Sequence, residues 1–226
     1  MKALYLVGPL LRLNRWLLLL LLLWPYAMAA LTLIGEPSPP PDAILALLKE
    51  ECFYGIALVA FTGAYLLGNE QRSRRIITVL ARGIHRWQYL LALLLAAWIP
   101  LVLYLVGFTL SGSFMLHQAR VPIHLVFDLA VLQLVVGLWT GTLSIFFSIF
   151  LPSILASLAS GGTLAALAFF SVSAPGRLLA ATTSAAFETA GLVTPRDLAW
   201  TLALSAVVFA AACAMFARRD LSLSGE

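Results

Sequence analysis

Arginine is unevenly distributed along this sequence, and its densest cluster is where chemistry could begin. Between Asn69 and Trp87 the chain reads NEQRSRRIITVLARGIHRW, with arginine at 72, 74, 75, 82 and 86. A guanidinium is a permanently charged, five-donor fork suited to carboxylates, phosphates and free carbonyl oxygens, so such a cluster marks a surface that meets anions or a partner. On helical spacing Ile76, Ile77 and Leu80 share one side while Arg75, Thr78 and Arg82 share the other. Ser73 can cap that helix and Gly83 can end it, giving an amphipathic element of about two and a half turns. Periodicity leaves two readings open: the helix lies on anionic lipid headgroups, or it docks into a groove on a partner protein.

Other reactive constellations are sparse. A phosphate-cradling loop needs a lysine behind a glycine-rich turn, and the only lysines, Lys2 and Lys49, stand in no such setting. The chain is therefore expected to hydrolyse no ATP itself. Neither GxSxG nor HExxH occurs, and His85, His117 and His124 fall in loops or at span ends. Cys52 and Cys213 belong to no CxxC pair and read as small apolar residues too far apart for a disulfide. The expectation is no catalytic residue, no metal and no cofactor in this chain. Acids inside a bilayer are costly enough to suggest function, which makes Asp128, with Gln133 about one turn deeper, and Glu188 candidates for a substrate path or gate. The plainer alternative has Asp128 reaching back to the headgroups and Glu188 on the wet face of an interfacial helix. Glu50 and Glu51, next to Lys49, read as interfacial anchors, with cation or substrate binding as the alternative.

The elements that must carry these residues are written in the composition. Of 226 residues, 62% are apolar and 11% charged, about half the charge of an ordinary soluble domain, so lipid is the expected solvent. A net charge of +4 points here to orientation within a bilayer, not to nucleic acid, because the basic residues sit in short loops between apolar runs. Six spans are expected, at residues 16–34, 52–68, 87–110, 129–151, 153–175 and 198–217, in a single permease-sized domain. Ala27-Met28-Ala29 imitates a signal-peptidase site, but the apolar run continues beyond it, so the segment reads as a retained first span. Residues 3–15 suit a short interfacial helix before it, in spite of Pro9.

Glu36 to Asp42, EPSPPPD, reads as a proline turn outside the membrane, and Ser111 to His124 reads as a loop. The run Leu129–Gly176 has no charge; as one helix it would reach about 72 Å, so two spans share it, divided at Pro152. The stretch between Arg177 and Arg196-Asp197 is too interrupted to span and too apolar for an ordinary loop, and is expected to be re-entrant or interfacial. Ser153, Ser157, Ser160 and Gly161 give the fifth span a small-residue face, read as close packing within the subunit. Ten basic residues (Lys2, Arg12, Arg15, Arg72, Arg74, Arg75, Arg82, Arg86, Arg218 and Arg219) fall on one side and four (Lys49, Arg120, Arg177 and Arg196) on the other. That bias predicts cytoplasmic termini.

The stretch Glu70 to Leu91, EQRSRRIITVLARGIHRWQYLL, resembles the segment between the second and third spans of type 2 ABC exporter permeases. Glu70, the short helix Ile76 to Ala81, Gly83 and Arg86 match that family's acidic residue, helix, small-residue turn and arginine before the third span. The ending Phe216-Ala217-Arg218-Arg219-Asp220-Leu221 is also similar to the family's. Ser73 departs from the glycine common after the acidic residue, and the proline common before the third span is missing. The resemblance implies an all-α membrane subunit in a bacterial inner membrane, with a coupling helix that docks on a separate ATP-binding cassette subunit. Mg-ATP would be handled by that partner. Glu70, Arg74, Arg75, Ile76, Ile77, Leu80, Arg82 and Arg86 would form the coupling element. It further implies a second permease copy and alternating access, with an amphipathic or lipid-like cargo as the expectation from the apolar spans. Alternatives are a haem-exporter-like subunit of cytochrome c maturation, a membrane scaffold that moves nothing, and a small intramembrane enzyme.

Overall fold

A computed structural model describes residues 2–13, 15–36, 39–72, 76, 79, 83–170, 173–183 and 194–218. Among these the regular elements are all α-helical: α1 (Lys2–Leu13), α2 (Arg15–Gly35), α3 (Pro41–Arg72), α4 (Arg86–Gln118), α5 (His124–Ser148), α6 (Ser153–Phe170), α7 (Ala174–Thr183) and α8 (Pro195–Arg218). Four of them, α4, α5, α6 and α8, are long and apolar enough to cross a membrane, and α2 adds the shorter apolar stretch Leu19–Gly35. Large apolar side chains stand exposed on α2, α3, α6 and α8, among them Leu23, Phe61, Leu158, Phe169 and Val207. That surface would be intolerable in water and is ordinary in lipid.

Helices α3, α4 and α5 alternate in direction. Close approaches pair Gly112 of α4 with Leu48 of α3 and Val126 of α5, Gly55 with Gln133 and Tyr104, and Gly63 with Ser144 and Ala97. Hence α3 and α5 run parallel in direct contact, with α4 antiparallel to both. Ser144 and Ser160 are hydrogen-bonded through their hydroxyls at 3.0 Å, which sets α6 against α5, and Tyr89 of α4 stacks on Phe216 of α8 with ring centroids 6.4 Å apart. One end of the bundle thus gathers the C-terminal ends of α3, α5 and α8 with the N-terminal ends of α4 and α6. Helix α1 joins that end through Val7, buried in the same cluster as Leu67, Tyr89 and Phe216. A second cluster, built on Leu48, Tyr104, Phe108, Met115 and Val126, fills the opposite half. A third, with Ile56, Val136, Trp139, Leu164, Leu178 and Leu179, seats α7 against α3, α5 and α6. Between helices in lipid there is no hydrophobic drive; small residues and dispersion hold the contacts.

Most described hydroxyls face their own helix. Thr62, Ser111, Thr140, Ser148, Thr201 and Ser205 each donate to the carbonyl four residues earlier, at 2.6–2.9 Å. Side-chain bonds between neighbouring spans are few, and Ser144 to Ser160 is one of them.

Several boundaries differ from the sequence expectation. The second span was expected over residues 52–68 with Lys49 to Glu51 at its edge, whereas α3 begins at Pro41, which needs no N–H donor in the first turn, and places Glu51 in the interior at 1% exposure. Residues 111–118, expected in a loop, are the last two turns of α4, held by Met115 and Leu116 in the core. The fourth span begins at His124, and Pro152 does separate it from α6, after a turn at residues 149–151. Pro9 is accommodated inside α1. Both cysteines are free, Cys52 buried and Cys213 half-buried. Ser160 packs within the chain, while Gly161 faces open space.

Part of the semi-apolar stretch after Gly176 is α7. It folds back along α6 so closely that a Cβ on Gly176 would stand 2.1 Å from the Leu167 carbonyl oxygen. With Leu178 and Thr182 fully buried, α7 is an inserted helix and not a surface one.

Candidate functional site

The end of the bundle that gathers α1, α3, α4 and α8 also holds the described part of the arginine-rich segment. Glu70 closes the buried face of α3 at 4% exposure. Its Oε2 accepts a hydrogen bond from the Tyr89 hydroxyl at 3.2 Å, which joins α3 to α4 across the crossing that the segment bridges. Ile76 and Val79 are helical, and Ile76 is buried in the cluster of Tyr89 and Phe216 with Val79 packed against it. The apolar side of the amphipathic pattern therefore faces the bundle at the one position of the three where it is described. Gly83 has φ +72°, the left-handed geometry expected of a helix-ending glycine. The His85 N–H donates to Gln88 Oε1 at 3.3 Å, and α4 starts at Arg86.

Arg86 does more than precede a span. Its Nη1 donates to the carbonyl of Phe216 at 3.0 Å and to that of Ala217 at 2.8 Å. The last carbonyls of a helix have no intrahelical donors, and a cation there also meets the negative end of the helix dipole. The side chain thus satisfies the exit of α8 from a position next to the segment, a long-range partnership of 130 residues that no local motif announces. Arg74, Arg75, Ile77, Leu80 and Arg82 lie outside the described residues, as does Ser73.

Glu70, Ile76 and Arg86 are accordingly brought together around Tyr89 and Phe216. Tyr89 was not singled out in the sequence, and a tyrosine nineteen residues beyond an acid carries no spacing signal. Replacing Tyr89 with phenylalanine is expected to lower stability by about 1 kcal/mol, read by SDS-induced unfolding of the purified chain, because the ring packing survives and one hydrogen bond is lost. No measurable change would mean that the bond to Glu70 does not form.

The other candidates do not assemble into one site. Asp128 is exposed and Gln133 fully buried; five helical residues set them about 140° apart around α5, so they face different surroundings. Glu188 lies outside the described residues. At this opposite end the chain instead builds a tight corner that the sequence reading passed over. Thr194 and Asp197 form a reciprocal cap at the start of α8: Asp197 Oδ2 accepts from the Thr194 N–H at 3.1 Å and from its hydroxyl at 2.9 Å, and the Asp197 N–H donates to Thr194 Oγ1 at 3.3 Å. Arg177 of α7 donates from Nε to Asp197 Oδ1 at 3.2 Å and forms an ion pair with it through Nη2. An open cleft of about 570 Å³ lies beside this corner, lined by Ser173, Arg177, Asp197, Trp200 and Leu204 among others.

Among the described residues no group of three or more His, Cys, Asp or Glu side chains could hold a metal ion. No protein-family model matches the chain, and neither a curated protein nor a solved structure matches it.

Proposed function

We propose that this chain is the membrane-spanning permease subunit of an ATP-binding cassette exporter, working beside a separate ATPase and a second permease copy. In this reading α2 and α3 join α4, α5, α6 and α8 as six crossings of a bacterial inner membrane. The end that carries α1, the arginine-rich segment and the C-terminal end of α8 faces the cytoplasm, and α7 is the re-entrant element on the outer side. Charge supports that orientation, because ten of the fourteen Lys and Arg residues belong to the proposed cytoplasmic side.

The single observation that carries the reading is the join beneath α3 and α4. A segment whose pattern resembles a coupling helix has Ile76 sunk among Tyr89 and Phe216, and the arginine that follows it grips the last carbonyls of α8. A displacement of that segment by a partner would reach α3, α4 and α8 together, through packed side chains and charge-assisted hydrogen bonds. Arg75 and Arg82 are the proposed polar contacts to the ATPase, with Mg-ATP bound and hydrolysed there. Cargo of amphipathic or lipid-like character would pass along the seam between two permease copies, as the mostly apolar spans suit a molecule that partitions into lipid.

A tagged chain extracted in mild detergent is expected to retain a P-loop ATPase, and charge reversal of Arg75 and Arg82 together is expected to release it. Retention of the ATPase with normal coupled activity in the double variant would overturn the assignment of this segment.

A further inference from the structure

A polar junction inside the opposite half of the bundle plays no part in the coupling described above. Three helices meet at one turn of α3. The Tyr104 hydroxyl of α4 donates to the Glu51 carbonyl at 2.8 Å, and the Gln133 amide of α5 donates through Nε2 to the Cys52 carbonyl at 3.0 Å. Space for the Gln133 amide exists because residue 55 is glycine: a Cβ there would lie 2.0 Å from Gln133 Nε2. The two side-chain oxygens left over are both acceptors. Glu51 Oε2 and Gln133 Oε1 are buried with no hydrogen-bond partner, on residues 1% and 0% exposed. A carbonyl oxygen can only accept, so it is the amide nitrogen that faces Cys52, and Oε1 remains the acceptor.

An ionised carboxylate so enclosed has lost its water and gained no counter-charge. Among the described residues no basic side chain is paired with it. On its own helix Lys49 projects about 200° away and Glu50 is exposed. Tyr54 and Cys52 are its neighbours on the same helix, Tyr104 faces it from α4, and from α5 the titratable groups, His124 and Asp128, are both exposed. A hydrogen added to Glu51 would remove its charge and supply a donor among these acceptors.

We propose that Glu51 and Gln133 form an intramembrane proton-binding site, with the proton carried on Glu51 and Gln133 Oε1 as its acceptor. A bound proton turns one orphan acceptor into a donor and removes the buried charge in the same step, using no metal and no cavity large enough for a hydrated ion. Release of that proton would restore a bare carboxylate at the contact of α3, α4 and α5. The junction then favours a different packing of these helices, or admits water. This inference stands apart from the transport assignment and survives if the chain moves no cargo.

Infrared difference spectroscopy of the full chain in liposomes tests it. A protonated-carboxyl C=O band is expected at neutral pH, moved by ¹³C-glutamate labelling of the wild type, absent in Glu51→Gln and shifted to higher frequency in Gln133→Leu. The labelled wild type gives an answer even if a variant fails to fold. Three results would overturn the proposal: no glutamate carboxyl band at neutral pH, a band unaffected by both substitutions, or loss of the band on adding sodium at fixed pH, which would make the ligand a metal cation.

Discussion

Substituting alanine for Gly176 is expected to destabilise the chain by about 3 kcal/mol, at the upper end of what overpacking usually costs. The added Cβ would meet the Leu167 carbonyl at 2.1 Å to oxygen and 2.8 Å to carbon, with Ser173 Oγ at 3.1 Å. Backbone atoms cannot rotate aside as a side chain can, so α7 must lift away from α6 and withdraw Leu178 and Leu179 from their cluster. Valine should be worse. Gly161→Ala is the matched control, because nothing lies within 4 Å of that position, and in an exposed helix alanine is expected to be neutral or to stabilise by up to about 1 kcal/mol. SDS unfolding of the purified proteins measures both. If Gly176→Ala unfolds with wild type, α7 does not lie against α6 as described.

The second large effect is expected at Arg86. Its removal leaves the Phe216 and Ala217 carbonyls without their charged donor, for a stability loss of about 2 kcal/mol. If the proposed coupling is right, Arg86→Ala should lower ATP-driven transport by roughly tenfold or more, since a coupling free energy of this kind commonly amounts to 1–3 kcal/mol. The ATPase should still co-purify, because the docking surface is assigned to Arg75 and Arg82. Arg86→Lys should recover part of the activity, as an ammonium can reach at least one carbonyl. Full transport in the alanine variant would separate α8 from the coupling path; loss of the ATPase would reassign Arg86 to docking.

How much of this could be read from the chain depends on whether the signal is local. Pro152 and Gly83 act through their own backbones, one by lacking a donor and the other by tolerating φ +72°, and both marked the breaks correctly. The last two turns of α4 were hidden because Ser111, Gly112, Ser113, His117 and Gln118 look like a loop. Ser111 in fact hydrogen-bonds to Gly107 in its own helix at 2.9 Å, and Met115 and Leu116 fill the core. Glu51 was unreadable for a related reason: beside Lys49 and Glu50 it looks interfacial, and only the convergence of α4 and α5 shows it enclosed. Arg86 was legible as a position of interest, but its partners are the final carbonyls of α8, and no periodicity spans that separation. Asp128 and Gln133 could have been parted on paper, since five residues along a helix do not share a face.

Hydroxyls that answer to their own turn, as those of Thr62, Thr140, Ser148 and Ser205 do, have one further effect. When one span slides or tilts against its neighbour, these groups travel with it and break nothing, so a seam lined only by them offers little polar friction. Resistance to shear is left to a few cross-links: Arg86 on α8 and Arg177 on Asp197 near the two ends, and Tyr104 and Gln133 on α3 within the bundle. The crossings are smooth rods pinned at a few polar points, latched near both tips and held again within.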